Sequence, residues 1–291
     1  MTWAALLEDQ FDEATAGLRP DLLATVFDDF RAVLLGEAGL PARPVPAAAA
    51  LADLWQRTEG GSPPQWRRRF YDHMSDGLRC QLRASVHRVT RTPMDVATCV
   101  ELRGRLGWVA FAHDLQHHIH QVGIPEAVYC STIYQTLLWS AADVIMWTND
   151  LVSYTREAAV GETSNLALAF QAERGLTSQQ AVDHVHRMIA DRLQVFLEAS
   201  LELPGLVRSL RLGDEARLVA EQCLTHLRTR RISACPGLSQ PAASPSRNTQ
   251  PPEQIPDLPQ PLLLGHPCVG GQEVRRSRTT GGGRHCHAWR G

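Results

Sequence analysis

Apolar residues recur every three to four positions along most of the chain, the spacing that places them on one face of an α-helix. A long apolar run, residues 137–147, continues into polar residues and predicts a buried core helix over 128–157. No alternating run predicts a strand, so the expected fold class is all-α. Further helices are predicted over residues 21–36, 66–91, 178–199 and 214–231.

Turn-forming residues divide these helices, and a change of composition ends them. Thr92 and Pro93 resemble a helix start, with Thr92 as the N-cap and Pro93 in the first turn. The stretch 161–165 is predicted to end the core helix. After residue 232 the chain becomes rich first in Pro, Ser and Gln and then in Gly, Arg and His. We therefore predict a helical domain over residues 1–232 and a disordered tail over residues 233–291.

The polar end of the core helix carries Asn149, Ser153 and Glu157, hereafter the Asn149 motif. Residues four apart lie about one turn apart, so an amide, a hydroxyl and a carboxylate share one helix face. Hard cations such as Mg²⁺ take oxygen ligands and are often held together with substrate phosphates. The alternative is a solvated polar face, but the motif directly follows the apolar run of the core helix. The pattern therefore favours a metal and diphosphate site.

A second oxygen-rich cluster lies near the N-terminus, where Glu8, Asp9, Asp12 and Glu13 can face one side of a helix. Carboxylates at this spacing repel one another, and a divalent cation would offset that repulsion. An acidic helix terminus is the alternative explanation. The presence of the Asn149 motif favours the metal interpretation.

Two further groups could bind ligands. Arg103 can grip phosphate oxygens with both ends of its guanidinium group, although a lone arginine is more often a surface residue. His113, His117 and His120 have the i, i+4, i+7 spacing of a possible transition-metal site. A polar helix end before Gly123 explains these histidines better, since no nearby acid completes a ligand set.

Composition narrows the class of protein. The chain has 291 residues, 44% of them hydrophobic and 21% charged, which suits one or two soluble domains with a sizeable core. A net charge of −2 provides no basic field for nucleic acid. No membrane span or secretion signal is predicted, and a cytoplasmic location is expected. The seven cysteines include no Cys-x-x-Cys pair and are expected to be reduced thiols.

These elements together resemble the bacterial class I terpene synthases over residues ~3 to ~230. Residues 8–13 look like the family's aspartate-rich motif, and the Asn149 motif corresponds to its second metal motif. Arg103 is similar to the diphosphate-sensing arginine and Gly107 to the effector glycine. Arg156 occupies a basic position common in the family, and residues 161–166 resemble the Gly-Glu-x-x-Asn-Leu run that follows.

The resemblance implies a helical bundle around an apolar cavity that binds a prenyl diphosphate, with farnesyl diphosphate as the expected substrate. A Mg²⁺ cluster would lie between the two motifs. Arg103 and Arg156 would bind the diphosphate, and Arg103 and Gly107 would take part in catalysis. The oligomeric state is left open, with a homodimer as one possibility. The implied metal ligands are Glu8, Asp9, Asp12, Asn149, Ser153 and Glu157, and the cavity would be lined by Phe11, Trp108 and Trp139, with Tyr134 and Trp147 as further candidates.

The sequence departs from the family's pattern at three places. The aspartate-rich motif begins at residue 8, so the first helices of the family are expected to be absent, and Glu8 stands where the family has aspartate. An Arg-Tyr pair expected near residues 230–240 is replaced by Thr229 to Pro236, and we expect the tail to be an aberrant reading frame. Two alternative functions follow: an inactive fragment that binds Mg²⁺ or diphosphate, and a helical interaction module.

Overall fold

The structure is a computed structural model, and it describes residues 3, 7, 11, 15–36 and 45–234, with side chains described at residues 3, 7, 11, 17–36 and 45–228. Every element in these ranges is helical, which confirms the all-α prediction. A short 3-10 helix, Thr15–Leu18, precedes ten α-helices. They are α1 Pro20–Leu35, α2 Pro46–Glu59, α3 Pro64–Thr90, α4 Val96–Leu106, α5 Val109–Ile119, α6 Glu126–Tyr129, α7 Thr132–Val160, α8 Leu166–Arg174, α9 Ser178–Ser209 and α10 Asp214–Ala234.

Helix α7 forms the centre of the bundle, and it packs against α4, α5, α8, α9 and α10. Its run from Leu137 to Trp147 is almost wholly buried, as the apolar pattern predicts. One hydrophobic cluster joins α1, α2 and α3 to Phe11 and Trp108. Two others surround the C-terminal and N-terminal halves of α7. The polar end of α7 therefore continues directly from the core of the molecule.

The predicted start of α4 is wrong by three residues. Asp95, not Thr92, is the N-cap, and its carboxylate accepts a hydrogen bond from the backbone N–H of Thr98 at 2.7 Å. A carboxylate also complements the positive end of the helix dipole. Thr92 instead belongs to the turn after α3, where its N–H bonds to the carbonyl of His87. Pro93 consequently lies before the helix.

The predicted core helix is divided near its start. Helix α6 ends at Tyr129, and α7 begins only after Ser131, whose hydroxyl caps the N–H of Tyr134. Helix α9 is longer than predicted and continues through Pro204 to Ser209. The side chains that pack α9 on α7 hold it in register across the proline, because burial of an apolar face outweighs local propensity.

The described residues belong to one compact unit of the chain. The predicted domain boundary after residue 232 stays a prediction, and the tail beyond residue 234 lies outside the described residues. Cys80, Cys99 and Cys223 are buried free thiols as predicted, whereas Cys130 is disulfide-bonded and departs from that prediction. Among the described helices, none combines the length and the apolar composition of a membrane-spanning segment.

Candidate active site

The structure places the Asn149 motif along one side of α7, in its last three turns. Asn149 is exposed, Glu157 is half-buried and Ser153 is buried. The Ser153 hydroxyl donates a hydrogen bond to the backbone carbonyl of Asn149 at 2.7 Å, which leaves the hydroxyl oxygen able to accept or to ligate. The three side chains thus provide an amide, a hydroxyl and a carboxylate oxygen on consecutive turns.

Arg103 reaches this motif from the last turn of α4, and it is buried rather than on the surface. Its Nε donates to Oδ1 of Asp150 at 2.6 Å, and Nη2 lies 2.5 Å from the same oxygen. Nη2 also donates to Oδ1 of Asn149 at 3.1 Å. The third nitrogen, Nη1, makes no hydrogen bond to any residue in the described ranges. Arg103 is therefore held beside the motif with one donor group left over.

Asp150 is the residue that holds Arg103 in place, and sequence reasoning gave it no role. It is fully buried, and its second oxygen accepts the backbone N–H of Leu166 at 3.0 Å. Burial alone would lower the pKa of Arg103, but the Asp150 charge outweighs that effect and raises it. The guanidinium therefore stays charged in a buried position. The available signal was an acidic residue next to the core run, one position after Asn149.

Asn165 connects the loop after α7 to the motif. Its Nδ2 donates to Oε2 of Glu157 at 2.9 Å and to the backbone carbonyl of Asp150 at 2.8 Å. Its Oδ1 caps α8 by accepting two backbone N–H groups. These bonds fix the Glu157 carboxylate, whose other oxygen lies 3.7 Å from Nη2 of the exposed Arg156.

A second ion pair ties the same loop to the N-terminal part of the chain. Glu162 accepts the backbone N–H groups of Thr163 and Ser164 and pairs with Nε of Arg88 at 3.3 Å. Nη1 of Arg88 donates to the backbone carbonyl of Phe11, also at 3.3 Å. The predicted metal ligands Glu8, Asp9 and Asp12 lie outside the described residues. Phe11, between Asp9 and Asp12 in the sequence, is thus linked through Arg88 to the loop after the Asn149 motif.

Gly107 ends α4 where α7 passes close by. A Cβ atom at residue 107 would lie 1.9 Å from Sδ of Met146, so no other residue fits without displacing that side chain. Trp108 follows in the left-handed region with φ of 54° and begins the turn into α5. Gly107 is one turn beyond Arg103, whose carbonyl accepts its N–H at 3.3 Å.

The three predicted cavity-lining aromatics do not share one cluster. Phe11 and Trp108 are buried in the cluster formed by α1, α2 and α3, where Phe11 packs edge-on against Phe27 at 5.6 Å. Trp139 is half-buried on α7, with the Arg105 guanidinium 4.6 Å from its ring centroid. The lining prediction therefore remains a prediction, and the structure shows these rings as packing partners.

His113 and His117 are more buried than a polar helix end predicts, whereas His120 is exposed as expected. His113 and His117 are almost fully enclosed, and Nε2 of His113 lies 2.8 Å from the hydroxyl of Tyr134. Their positions on the inner face of α5 explain the burial. Among the described residues no group of three or more His, Cys, Asp or Glu side chains could hold a metal ion.

The fold and site define an all-α bundle with a face of hard oxygen donors beside a buried guanidinium. A sequence model of the family described as "Terpene synthase family 2, C-terminal metal binding" matches residues 1–194. The (−)-delta-cadinene synthase of Streptomyces clavuligerus is 31% identical over 227 residues, which cover 78% of this chain and 68% of that protein. The chain therefore belongs to the terpene synthase family, and residues 1–194 match its metal-binding region.

A further sequence relative and a solved structure are also similar to this chain. The (2E,6E)-farnesyl diphosphate-cyclising (+)-T-muurolol synthase of Roseiflexus castenholzii is 28% identical over 70% of this chain and 62% of its own length. The chain thus spans about two thirds of the length of the two curated relatives named here. The crystal structure of germacradien-4-ol synthase from Streptomyces citricolor superposes with a TM-score of 0.70, 24% identity and coverage of 80% of this chain and 73% of that one. That similarity establishes the fold.

Proposed function

We propose that this chain catalyses the divalent-metal-dependent ionisation of a prenyl diphosphate, with farnesyl diphosphate as the substrate and Mg²⁺ as the metal. The cation left after ionisation would cyclise to a terpene, and diphosphate would be released. The observation that carries the proposal is the charged, buried Arg103 held by Asp150 against the amide oxygen of Asn149. A relative that cyclises farnesyl diphosphate supports the choice of substrate.

The donor set of the Asn149 motif fits a hard cation. Asn149, Ser153 and Glu157 offer only oxygen atoms, and Asn165 fixes the Glu157 carboxylate for ligation. We propose Glu8, Asp9 and Asp12 as the ligands from the opposing motif. Mg²⁺, when bound there, would supply positive charge to the diphosphate oxygens.

Arg103 and Arg156 would bind the diphosphate from the protein side. Breaking the bond between the first prenyl carbon and its oxygen leaves the electron pair on the diphosphate and an allyl cation on the carbon chain. Nε and Nη2 of Arg103 already donate to Asp150 and Asn149, so Nη1 is the nitrogen that would donate to the charge developing on the diphosphate. The bonds to Asp150 and Asn149 fix the guanidinium before the substrate binds. Exposed Arg156 would add a second, more mobile cation at the entrance.

Gly107 and the aromatic residues would act on the carbon chain. We propose that the Gly107 carbonyl faces the reacting carbon, at the turn that ends α4 beside Met146. Aromatic faces stabilise nearby cations, so Phe11, Trp108 and Trp139 are proposed to line the cavity. The cytoplasmic location and the homodimer also remain predictions.

Product analysis tests the function. Purified full chain is incubated with farnesyl diphosphate and Mg²⁺, and volatile products are separated by gas chromatography. We expect a terpene that is absent after metal chelation and absent with the Asn149→Ala/Glu157→Ala double variant. An exposed-site control, Glu198→Gln, should match the wild type. No terpene from the wild type would overturn the proposed cyclisation, and Mg²⁺-dependent diphosphate binding would then indicate the inactive fragment.

A further inference from the structure

An opening of about 360 Å³ lies at the end of the bundle where α3 begins and α5 ends. Its walls combine two apolar side chains from the loop after α5, Val122 and Ile124, with Trp66 of α3. Arg69, His118 and Glu126 are among the polar side chains that line it. Arg69 and Arg88 are nineteen residues apart on α3, about 28 Å along the helix axis. The opening is therefore remote from the Arg88 end of α3, which contacts the loop after the Asn149 motif.

Arg69 is a buried cation that pairs with no carboxylate among the described residues. The residue is 9% exposed, and its Nε and Nη1 atoms are enclosed without a hydrogen-bond partner among the described residues. The guanidinium carbon lies 4.5 Å from the centroid of the Tyr129 ring, which holds the group in position. Asp114, a buried carboxylate of this part of the bundle, is already paired with His73 at 2.6 Å. Buried charges are ordinarily paired, so Arg69 is a site that lacks its partner.

The start of α3 adds a second source of positive potential. Pro63, the N-cap residue, provides no side-chain hydrogen bond, so the first N–H groups of this 27-residue helix have no capping side chain. Gln65 and Trp66, which carry two of those groups, line the opening. The N-terminus of a long helix attracts anions through its dipole and its free N–H groups. Arg69 follows Gln65 by four residues and therefore lies on the same helix face.

The remaining walls define what kind of anion fits. The volume exceeds that of an inorganic ion, and Trp66, Val122 and Ile124 offer apolar surface to an organic body. His118 is held by the Ser62 hydroxyl at 3.0 Å and packs on Trp66 with a centroid distance of 4.9 Å. Exposed Glu126 contributes a negative charge at the edge, which weakens the attraction of the opening for an anion. A single oxyanion group on a small apolar body satisfies all of these features.

We propose that this opening is a binding site for a small organic oxyanion, a carboxylate or a phosphate monoester with an apolar body, seated on Arg69 and the N-terminus of α3. It is separate from the proposed diphosphate site. The oxyanion accepts hydrogen bonds from the Arg69 guanidinium and from backbone N–H groups of α3. Its apolar part lies against Trp66 and Ile124.

Isothermal titration of the full chain with benzoate, phenyl phosphate and inorganic phosphate tests the proposal. We expect saturable binding of benzoate or phenyl phosphate, with inorganic phosphate weaker because it has no apolar body. Removing the charge-assisted hydrogen bonds in Arg69→Gln should weaken binding by about tenfold or more. The control Arg68→Gln removes the same charge from an exposed neighbour on α3 and should leave the affinity unchanged.

The tighter of the two organic probes identifies the preferred oxyanion. Absence of saturable binding, or equal affinities for Arg69→Gln and Arg68→Gln, would overturn the proposal. Glu126→Gln provides a test that does not depend on folding of Arg69→Gln, since it replaces an exposed residue. Loss of the negative charge should tighten benzoate binding by about threefold. If Arg69→Gln fails to fold, the proposal is tested by Glu126→Gln alone. In that case a benzoate affinity equal to that of the wild type overturns the proposal.

Discussion

At the scale of single residues, the site depends on the ion pair between Arg103 and Asp150, and the sequence pattern assigned no role to Asp150. The spacing of Asn149, Ser153 and Glu157 follows from helix periodicity and was predictable. The role of Asp150 was not, because its partner Arg103 lies 47 residues earlier in the chain and meets it only when α4 packs on α7. Adjacent helix residues point in different directions, so Asn149 can face outward while Asp150 is buried.

Asp150→Asn tests how strongly this pair stabilises the fold. The substitution leaves the Arg103 guanidinium buried without its counter-charge, which costs about 3 kcal/mol in comparable cases. We expect the free energy of unfolding, measured by urea denaturation, to fall by roughly that amount. Asp191→Asn replaces an exposed aspartate and should change it by less than about 0.5 kcal/mol. Equal values for the two variants would show that the pair is not stabilising.

Asp143, six residues before Asn149 on α7, gives a prediction on pH. Burial raises the pKa of its carboxyl from 3.8 to about 6, although Arg192 lies at 2.7 Å and opposes the shift. A raised pKa means that the folded state binds the proton more tightly than the unfolded state. The stabilisation is therefore present at low pH and is lost as pH rises through about 6.

Asp143→Asn removes that titration. The stability of the wild type relative to this variant should be greater at pH 5 than at pH 7.5 by about 1 kcal/mol. Urea denaturation at the two pH values measures the difference, and groups shared by both chains cancel. A relative stability that is constant across this range would contradict the raised pKa.

At the scale of helices, the hydrophobic period placed most elements and missed their ends. Residues 21–36, 66–91 and 214–231 were predicted within a few residues because each buries one apolar face. The ends depend on caps and tertiary contacts. Asp95 rather than Thr92 caps α4 because the turn after α3 uses Thr92, and α9 passes through Pro204 because packing on α7 compensates the lost hydrogen bond.

The contact between α4 and α7 at Gly107 gives a prediction for this scale. Gly107→Ala would put a methyl group into Met146, at a cost of about 1–3 kcal/mol. Met146→Ala empties the same space, so the double variant should be more stable than the sum of the single effects predicts by at least about 1 kcal/mol. Urea denaturation of the four proteins measures this coupling.

A matched control for the glycine is available in the loop after α2. Gly60→Ala introduces a methyl group where no atom lies within 4 Å, and it should change stability by less than about 0.5 kcal/mol. Strict additivity of Gly107→Ala and Met146→Ala would show that the close approach of the two helices does not require glycine.

At the scale of the whole molecule, we propose that the Asn149 motif is one half of a site whose other half is formed by Glu8, Asp9 and Asp12. The link between them is Arg88, which joins the Phe11 carbonyl to Glu162 in the loop after α7. The family resemblance predicted both halves, and family membership is now established. The position of Glu8, Asp9 and Asp12 relative to Glu157 depends on the docking of residues 1–14, which local sequence patterns do not encode.

We propose that the Asn149 motif and Arg103 together drive ionisation of a prenyl diphosphate. The most direct measurement is the rate of diphosphate release from farnesyl diphosphate as a function of Mg²⁺ concentration. We predict saturable, Mg²⁺-dependent release by the wild type and by Glu198→Gln, and a rate at least about 100-fold lower for Glu157→Gln and for Arg103→Gln. Release that is independent of Mg²⁺, or equal in Glu157→Gln and Glu198→Gln, would contradict the claim.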